Sequence, residues 1–218
     1  HRYGRNHSFK EAYETVNWIG EKKDYQSTSI PALDKYIIGL RPGNLVILAA
    51  RPGQGKTLLA LQIAAHVAKT SPVAFASLEM SDSDLVNRLL SARSSVLHES
   101  IVKGRLTDSD WSRIAAARPA IDGLKLFIED DASRLRSADE VRAFAKSVER
   151  RDGKLGLLVV DYLQLIPSRR GVKSRYEGVS EISRELKLLA KELGCPILAL
   201  SQVGRENEKQ HRPPQLSD

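Results

Sequence analysis

Apolar segments alternate with amphipathic segments along the chain, and this alternation predicts an α/β domain. Five short segments are apolar at nearly every position, not at every second one: "LVILAA" (45–50), "VAFASL" (73–78), "KLFIED" (125–130), "GLLVVD" (156–161) and "PILALS" (196–201). This composition is typical of strands buried on both faces, as in parallel sheets covered by helices. We therefore expect a mostly parallel, twisted sheet with helices on both faces.

Segments with helical spacing of their apolar residues separate these strands. Helices are predicted to begin near Lys56, at Ser81, at Ser137 (where Glu140 completes a capping pattern) and in "SEISRELKLLAKEL". A further helix is predicted over 107–120, so that two helical patterns lie between the second and third strands.

The first 26 residues are predicted to form a linker segment, followed by one large domain over 27–218. Ser8 and Glu11 fit a capping box, and apolar residues recur at helical spacing through 8–23, which predicts an amphipathic helix. The following "DYQSTSIPALDKYIIGLRPGN" is interrupted by Pro and Gly and is interpreted as a linker that re-enters the domain.

Composition narrows the class of protein. Of the 218 residues, 41% are hydrophobic and 28% charged, which is ordinary for a globular domain. No apolar segment approaches the roughly 20 residues that span a bilayer. The single cysteine, Cys195, excludes an internal disulfide and is expected in the core of a protein from a reducing, cytosolic compartment.

Charge and chain ends add two expectations. The net charge of +7 makes a polyanionic partner plausible without establishing one. The chain starts without Met and stops in the polar "PPQLSD", so we expect a piece of a longer protein.

The stretch "ARPGQGKT" (50–57) fits the phosphate-binding loop (P-loop) pattern, except that Ala50 replaces the first glycine. Glycines let backbone N–H groups approach phosphate oxygens, and the following helix directs its positive end at the anion. Lys56 would contact the β and γ phosphates, and the Thr57 hydroxyl would ligate Mg²⁺. The predicted nucleotide-binding residues are Arg51, Pro52, Gly53, Gln54, Gly55, Lys56, Thr57 and Leu58.

Three more polar residues follow apolar strands directly. Asp161 is a candidate for organising Mg²⁺, Glu79 for polarising the attacking water, and Gln202 for sensing the γ phosphate. The structural alternatives are a turn-capping aspartate, a salt bridge and an ordinary loop amide. Because ligands of open parallel sheets bind at the carboxyl ends of the strands, we expect all three beside the P-loop. Trp18, Trp111 and Met80 are expected to be packing residues.

In this order and spacing, "LVILAARPGQGKT", "FASLEMS", "VVDYLQL", "SEISRELKLLAKEL" and "LALSQ" resemble the C-terminal motor domain of DnaB-type replicative helicases. The resemblance implies a RecA-like P-loop ATPase core over about 27–218 that uses ATP and Mg²⁺. It implies a hexameric ring that moves 5′ to 3′ on single-stranded DNA and unwinds duplex at the replication fork of a bacterial or phage-infected cell. It also implies the roles given above for Glu79, Lys56 and Gln202 in catalysis and for Thr57 and Asp161 at the metal.

Partners follow from the same resemblance. The 8–23 helix matches a linker helix that docks on a neighbouring subunit; packing on its own domain is the alternative. Primase and a helicase loader are possible partners. An arginine finger and a final DNA-contacting loop have no counterpart in this chain. The expected DNA-binding residues are Arg169, Arg170, Lys173, Arg175 and Arg205, for which a solvated charged surface is the alternative.

Two other activities remain open from the sequence. The same strand-end chemistry would serve a RecA-like ATPase that acts as a recombinase or regulator. It would also serve a nucleotide-gated loader that binds DNA or a partner without unwinding.

Overall fold

The computed structural model describes residues 25–161 and 175–202, with the backbone alone for residues 175–177. Its centre is a five-stranded sheet made of β1 (Leu45–Ala50), β2 (Val73–Ser77), β3 (Leu126–Glu129), β4 (Leu157–Asp161) and β5 (Ile197–Gln202). The strand order is β1-β5-β4-β2-β3, and every pair is parallel. The expected parallel sheet is confirmed, and all five strands direct their carboxyl ends to the same edge.

Alternate residues of the central strands enter two separate cores. In β4, Leu158 and Val160 pack on one face of the sheet, whereas Leu157 and Val159 pack on the other. All four side chains are fully buried. A strand with a core on each side has no place for polar residues before its end, which explains the uninterrupted apolar segments.

Helices cover both faces of the sheet. One core includes residues of α2 (Lys56–Val67) and α3 (Asp82–Ser94), and the other includes residues of α6 (Ala138–Asp152) and α7 (Arg175–Leu193). The remaining helices are α1 (Pro31–Ile37), α4 (His98–Val102) and α5 (Asp108–Asp122), and a short 3₁₀ turn spans Ala132–Arg134. Among the described residues, no helix combines the length and apolar composition needed to cross a bilayer.

Strand β1 differs from its prediction. It was expected to be buried on both faces, but Ile47 is 48% exposed. This strand also lies at one end of the described sheet, with a neighbouring strand on one side only. An apolar sequence alone does not distinguish a covered face from an uncovered one.

The interpretation of the stretch 24–44 as linker was incomplete, because helix α1 lies within it. Pro31 is the first residue of this helix, where its missing N–H costs nothing, and Ile38 ends it in the left-handed conformation (φ 57°). Asp34 fixes the turn before the helix by accepting hydrogen bonds from the Thr28 hydroxyl (2.6 Å) and the Ser27 hydroxyl (2.6 Å).

Three further differences concern helices. Helix α4, five residues long, was not predicted. Helix α7 begins at Arg175, earlier than expected, so Arg175 belongs to a helix and not to a basic loop. Trp111, expected to be a packing residue, is 59% exposed on α5.

Cys195 is buried as predicted, and burial raises the pKa of its thiol to about 12. The predicted 8–23 helix and Trp18 lie outside the described residues.

Candidate active site

The P-loop connects the end of β1 to the start of α2. Gly53 and Gly55 have φ angles of 75° and 79°, a region that favours glycine, and Gly55 is the residue from which α2 begins. A Cβ atom at either position would meet no atom within 4 Å, so the backbone angle, not crowding, requires glycine. The loop therefore lies open in front of the positive end of α2, as an anion site requires.

Lys56 lies between two carboxylates at this edge of the sheet. Its Nζ atom is 3.6 Å from Oδ1 of Asp161 and 3.9 Å from Oε2 of Glu79. The side chain of Lys56 is 9% exposed and that of Asp161 is 0% exposed, while Glu79 remains 46% exposed. Two carboxylates from different segments thus converge on the ammonium group of the P-loop lysine.

Asp161 is also bonded to the next residue of the P-loop. The Thr57 hydroxyl donates a 2.7 Å hydrogen bond to Oδ2 of Asp161. Burial raises the pKa of Asp161, and the negative charge of Glu79 adds to the rise, whereas the Thr57 hydrogen bond and the charge of Lys56 oppose it. A buried carboxylate with such a pKa gains stability from any further cation placed beside it.

Glu79 lies in a tight turn that is held at several points. The buried Ser77 hydroxyl donates a 2.6 Å hydrogen bond to the Met80 carbonyl, and the Leu78 N–H donates to the Asp161 carbonyl at 2.7 Å. Beyond the turn, the Asp82 N–H donates to Oδ2 of Asp130 at 2.9 Å. These bonds fix the backbone on both sides of Glu79 while its carboxylate stays accessible.

Ser77 and Asp130 were not singled out from the sequence. Asp130 follows strand β3 directly, so the rule that selected Asp161, a polar residue immediately after an apolar strand, would also have selected it. Ser77 is the last residue of β2 and offered no signal beyond being a hydroxyl in an apolar strand.

Gln202 is the last residue of β5 and pairs in register with Ala50, the residue that leads into the P-loop. The sheet order therefore places β5 between the P-loop strand and the Asp161 strand. Leu58, which was also predicted to bind nucleotide, is 44% exposed in the first turn of α2. The expected grouping of Asp161, Glu79 and Gln202 with the P-loop agrees with this arrangement of strand ends.

The residues present are suited to a magnesium ion shared with phosphates. Oδ1 of Asp161 is buried and accepts no hydrogen bond from the described part of the chain, and the Thr57 hydroxyl is adjacent. Mg²⁺ typically takes one or two protein oxygens and completes its octahedron with phosphates and water. One carboxylate and one hydroxyl are such a set.

The predicted DNA-binding residues are not brought to this site by anything that the structure describes. Arg169, Arg170, Lys173 and Arg205 lie outside the described residues, and only the backbone of Arg175 is described.

Comparison with known proteins agrees with the fold. The family described as "DnaB-like helicase C terminal domain" matches residues 26–218. Replicative DNA helicase DnaB of Leifsonia xyli subsp. xyli is 42% identical over 203 residues, which are 90% of this chain and 44% of that protein. The chain thus spans less than half the length of this relative.

Two solved structures have the same architecture. One, described as an ATPase domain, superposes with a TM-score of 0.86 at 30% identity, covering 98% of this chain and 78% of that one. A DnaB-like replicative helicase, studied with its interactions with primase, also gives 0.86, at 29% identity and with 98% and 53% coverage. A match across 26–218, with the P-loop and its carboxylates on one sheet edge, makes this chain a member of the DnaB-like helicase C-terminal domain family.

Proposed function

We propose that this chain is the motor of a replicative DNA helicase, which hydrolyses ATP and couples hydrolysis to 5′–3′ movement along single-stranded DNA. Family membership supports the activity, and the position of Lys56 between Asp161 and Glu79 carries the assignment of the site. The two alternatives, a recombinase or regulator and a nucleotide-gated loader, have no observation in their favour.

Nucleotide binding exchanges the partners of Lys56. The ammonium group of Lys56 lies 3.6 and 3.9 Å from two carboxylate oxygens. Phosphate oxygens arriving over the P-loop compete for the same charge, while backbone N–H groups at 53–57 and the end of α2 hold them. The carboxylates released from Lys56 are then available for their own roles.

Those roles follow from position. Asp161 and Thr57 would hold Mg²⁺, which neutralises charge on the β and γ phosphates when bound. Glu79, accessible and fixed by its turn, orients the attacking water and accepts its proton. Gln202, at the end of β5 next to the P-loop strand, reports the presence of the γ phosphate to the segment that follows it.

The assembly belongs to the same proposal. The active form is a homo-hexameric ring around single-stranded DNA at the replication fork, in the cytoplasm, with the linker helix docked on a neighbour. A neighbouring subunit supplies the arginine finger, an addition worth about 10³–10⁵ in rate. Primase and a loader are the further partners. Arg169, Arg170, Lys173, Arg175 and Arg205 contact DNA in the central channel.

Two substitutions in the full-length protein test the site. Lys56→Ala removes the charge that binds phosphates, so nucleotide binding and turnover are both lost. Glu79→Gln keeps the shape of the side chain but cannot accept a proton, so nucleotide binding persists while turnover falls about 10²–10⁴-fold. Glu99→Gln is the matched control, because it removes another exposed carboxylate, on α4. ATP hydrolysis and binding of a fluorescent nucleotide are measured for all three.

Robust turnover in Glu79→Gln would remove this residue from the catalytic role. A forked-DNA unwinding assay tests the motor separately. ATP hydrolysis and DNA binding without strand separation by the full-length ring would contradict the helicase proposal and leave the site assignments standing.

A further inference from the structure

The amino-terminal edge of the sheet, opposite the P-loop, is built from five short segments that enter the strands. They are residues 41–44, 194–196, 153–156, 68–72 and 123–125, in their order along the edge. Backbone hydrogen bonds join neighbouring segments, for example from Lys125 N–H to the Ala68 carbonyl at 2.9 Å and from Gly156 N–H to the Pro72 carbonyl at 2.8 Å. The edge is therefore one continuous, ordered strip.

Six basic side chains that form no ion pair within residues 25–161 and 178–202 lie along this strip or in the last helical turns beside it. All but the half-buried Arg41 are exposed. The Lys187 ammonium group also reaches the strip, where it donates to the Gly43 carbonyl at 2.8 Å. The six are named here the basic edge: Arg41, Lys69, Lys125, Arg150, Lys154 and Lys191.

The carboxylates nearby do not neutralise the basic edge. Asp122 is paired with Arg118, Asp152 with Arg151, and Glu192 with Arg142. Glu149 likewise lies 3.7 Å from Lys146. Each of these acidic groups thus pairs with a basic side chain outside the basic edge, although Arg142 also pairs with Asp139 and Lys146 also with Glu192.

The ligand that suits this surface is a phosphodiester chain. Protein interfaces are anchored by large apolar or aromatic side chains in their centres. None of the exposed large hydrophobic residues of the described chain lies in the five segments of this edge, although Ile38 and Leu188 are each three residues from a member of the basic edge. Charge without an apolar anchor favours phosphate contacts, which need no shape-matched pocket and carry no sequence preference.

We propose that the basic edge binds the sugar-phosphate backbone of a nucleic acid outside the nucleotide site. Adjacent strands are about 4.8 Å apart, so the five-stranded edge is about 19 Å long. A strip of this length is long enough to contact several consecutive phosphates of one strand. Because the two edges are opposite, the proposal does not depend on the roles of Lys56 or Glu79.

The test uses the nucleotide-free chain and two triple variants. Lys69→Gln, Lys125→Gln and Lys154→Gln remove half of the basic edge. Lys35→Gln, Arg93→Gln and Lys103→Gln remove the same charge from exposed positions on α1, on α3 and directly after α4. Binding of a labelled 20-nucleotide strand and of a 20-base-pair duplex, both of mixed sequence, is measured by anisotropy between about 50 and 200 mM KCl.

The slope of log affinity against log salt is the decisive quantity. Three lost phosphate contacts make it shallower by about 2 for the single strand and by about 3 for the duplex. A change confined to one of the two ligands identifies the form of nucleic acid that the edge binds. The control triple variant keeps the slope of the unaltered chain. An equal change in both variants, or none in the first, overturns the proposal.

A second measurement leaves the sequence unaltered. Acetylation of lysines in the presence of DNA is expected to protect Lys69, Lys125 and Lys154, and to leave Lys35 and Lys103 reactive. Uniform reactivity would contradict the proposal. Tighter binding of a polyglutamate peptide than of DNA, lost in the first triple variant, would assign the surface to an acidic protein and also overturn it.

Discussion

The two edges of the sheet hold charged groups in opposite environments. At the carboxyl edge, Asp161 is fully buried and shares Lys56 with Glu79. At the amino edge, Lys69, Lys125 and Lys154 are exposed and outside any ion pair of the described chain. The same five strands thus present a small number of tightly coupled charges on one side and a row of independent charges on the other.

This difference shows how environment decides what a charge can do. Coupled, buried groups respond strongly to a single ligand, because each change of partner occurs in a medium of low dielectric constant. The contributions of independent, exposed charges to binding add together, and salt screens each of them. Substitutions at the carboxyl edge are therefore expected to have large effects on turnover, and those at the amino edge small effects that vary with salt.

The largest effect is expected from Asp161→Asn. Asparagine keeps an oxygen for the Thr57 hydroxyl but loses the charge next to Lys56, so ATP turnover falls about 10²–10³-fold in the full-length protein. Lys154→Gln, one charge removed from the other edge, leaves turnover unchanged. Steady-state hydrolysis with saturating Mg²⁺ measures both. Equal losses in the two variants would abolish the distinction between the edges.

An intermediate effect is expected from Ser77→Ala, which removes the hydrogen bond to the Met80 carbonyl. The turn that carries Glu79 loses a constraint, so kcat falls about tenfold, equivalent to about 1.4 kcal/mol, with KM unchanged. The free energy of unfolding falls by about 0.5–1.5 kcal/mol. Kinetics and urea unfolding measure the two changes.

Ser94→Ala is the matched control for Ser77→Ala. Ser94 is also a buried serine that donates to a backbone carbonyl, that of Leu90 at 2.6 Å, but it lies at the end of α3. The free energy of unfolding of Ser94→Ala is expected to fall by a similar amount, while its kcat stays unchanged. A fall in kcat in both variants would show that general loosening, not the position of Glu79, reduces the rate.

The smallest effect is expected from Asp34→Asn, which lies outside both edges. Partial burial opposes ionisation of Asp34, but hydrogen bonds from Ser27 and Thr28 outweigh it and lower its pKa. The stability that ionised Asp34 contributes, about 1 kcal/mol, is complete above the unfolded pKa of about 3.9. It is lost as pH falls through the lower folded pKa.

Thermal unfolding from pH 3 to 7 tests this sign. The difference in Tm between the unaltered chain and Asp34→Asn is expected to shrink toward pH 3. A difference that grows on acidification would mean that the Asp34 pKa is raised in the folded state, as it is for Asp161.

Sequence reasoning identified the sheet and the residues at its carboxyl edge for one physical reason. Strands with a core on each face are apolar until they end, so Asp161 and Glu79 were visible as polar residues directly after such segments. The same reasoning misjudged β1, because Ile47 is apolar and yet 48% exposed. The burial of a residue depends on which segments pack against it, and the sequence of one strand does not specify them.

The remaining misses also have identifiable causes. Helix α1 was hidden because Pro31 and Gly39 were interpreted as breakers, although proline at the first position favours a helix. Helix α4 has five residues, too few for a periodic pattern. The basic edge was invisible because its residues are scattered over five segments. Only the strand order brings Lys69, Lys125 and Lys154 together.

The buried thiol has a practical consequence. Cys195 is 1% exposed, and with a pKa of about 12 almost none of it is thiolate at neutral pH, so alkylating reagents leave it unmodified. It is the only cysteine in the chain. A single cysteine introduced on the surface would therefore accept a fluorophore or spin label selectively, without first deleting the native one. Each edge of the sheet can thus be followed by its own spectroscopic reporter.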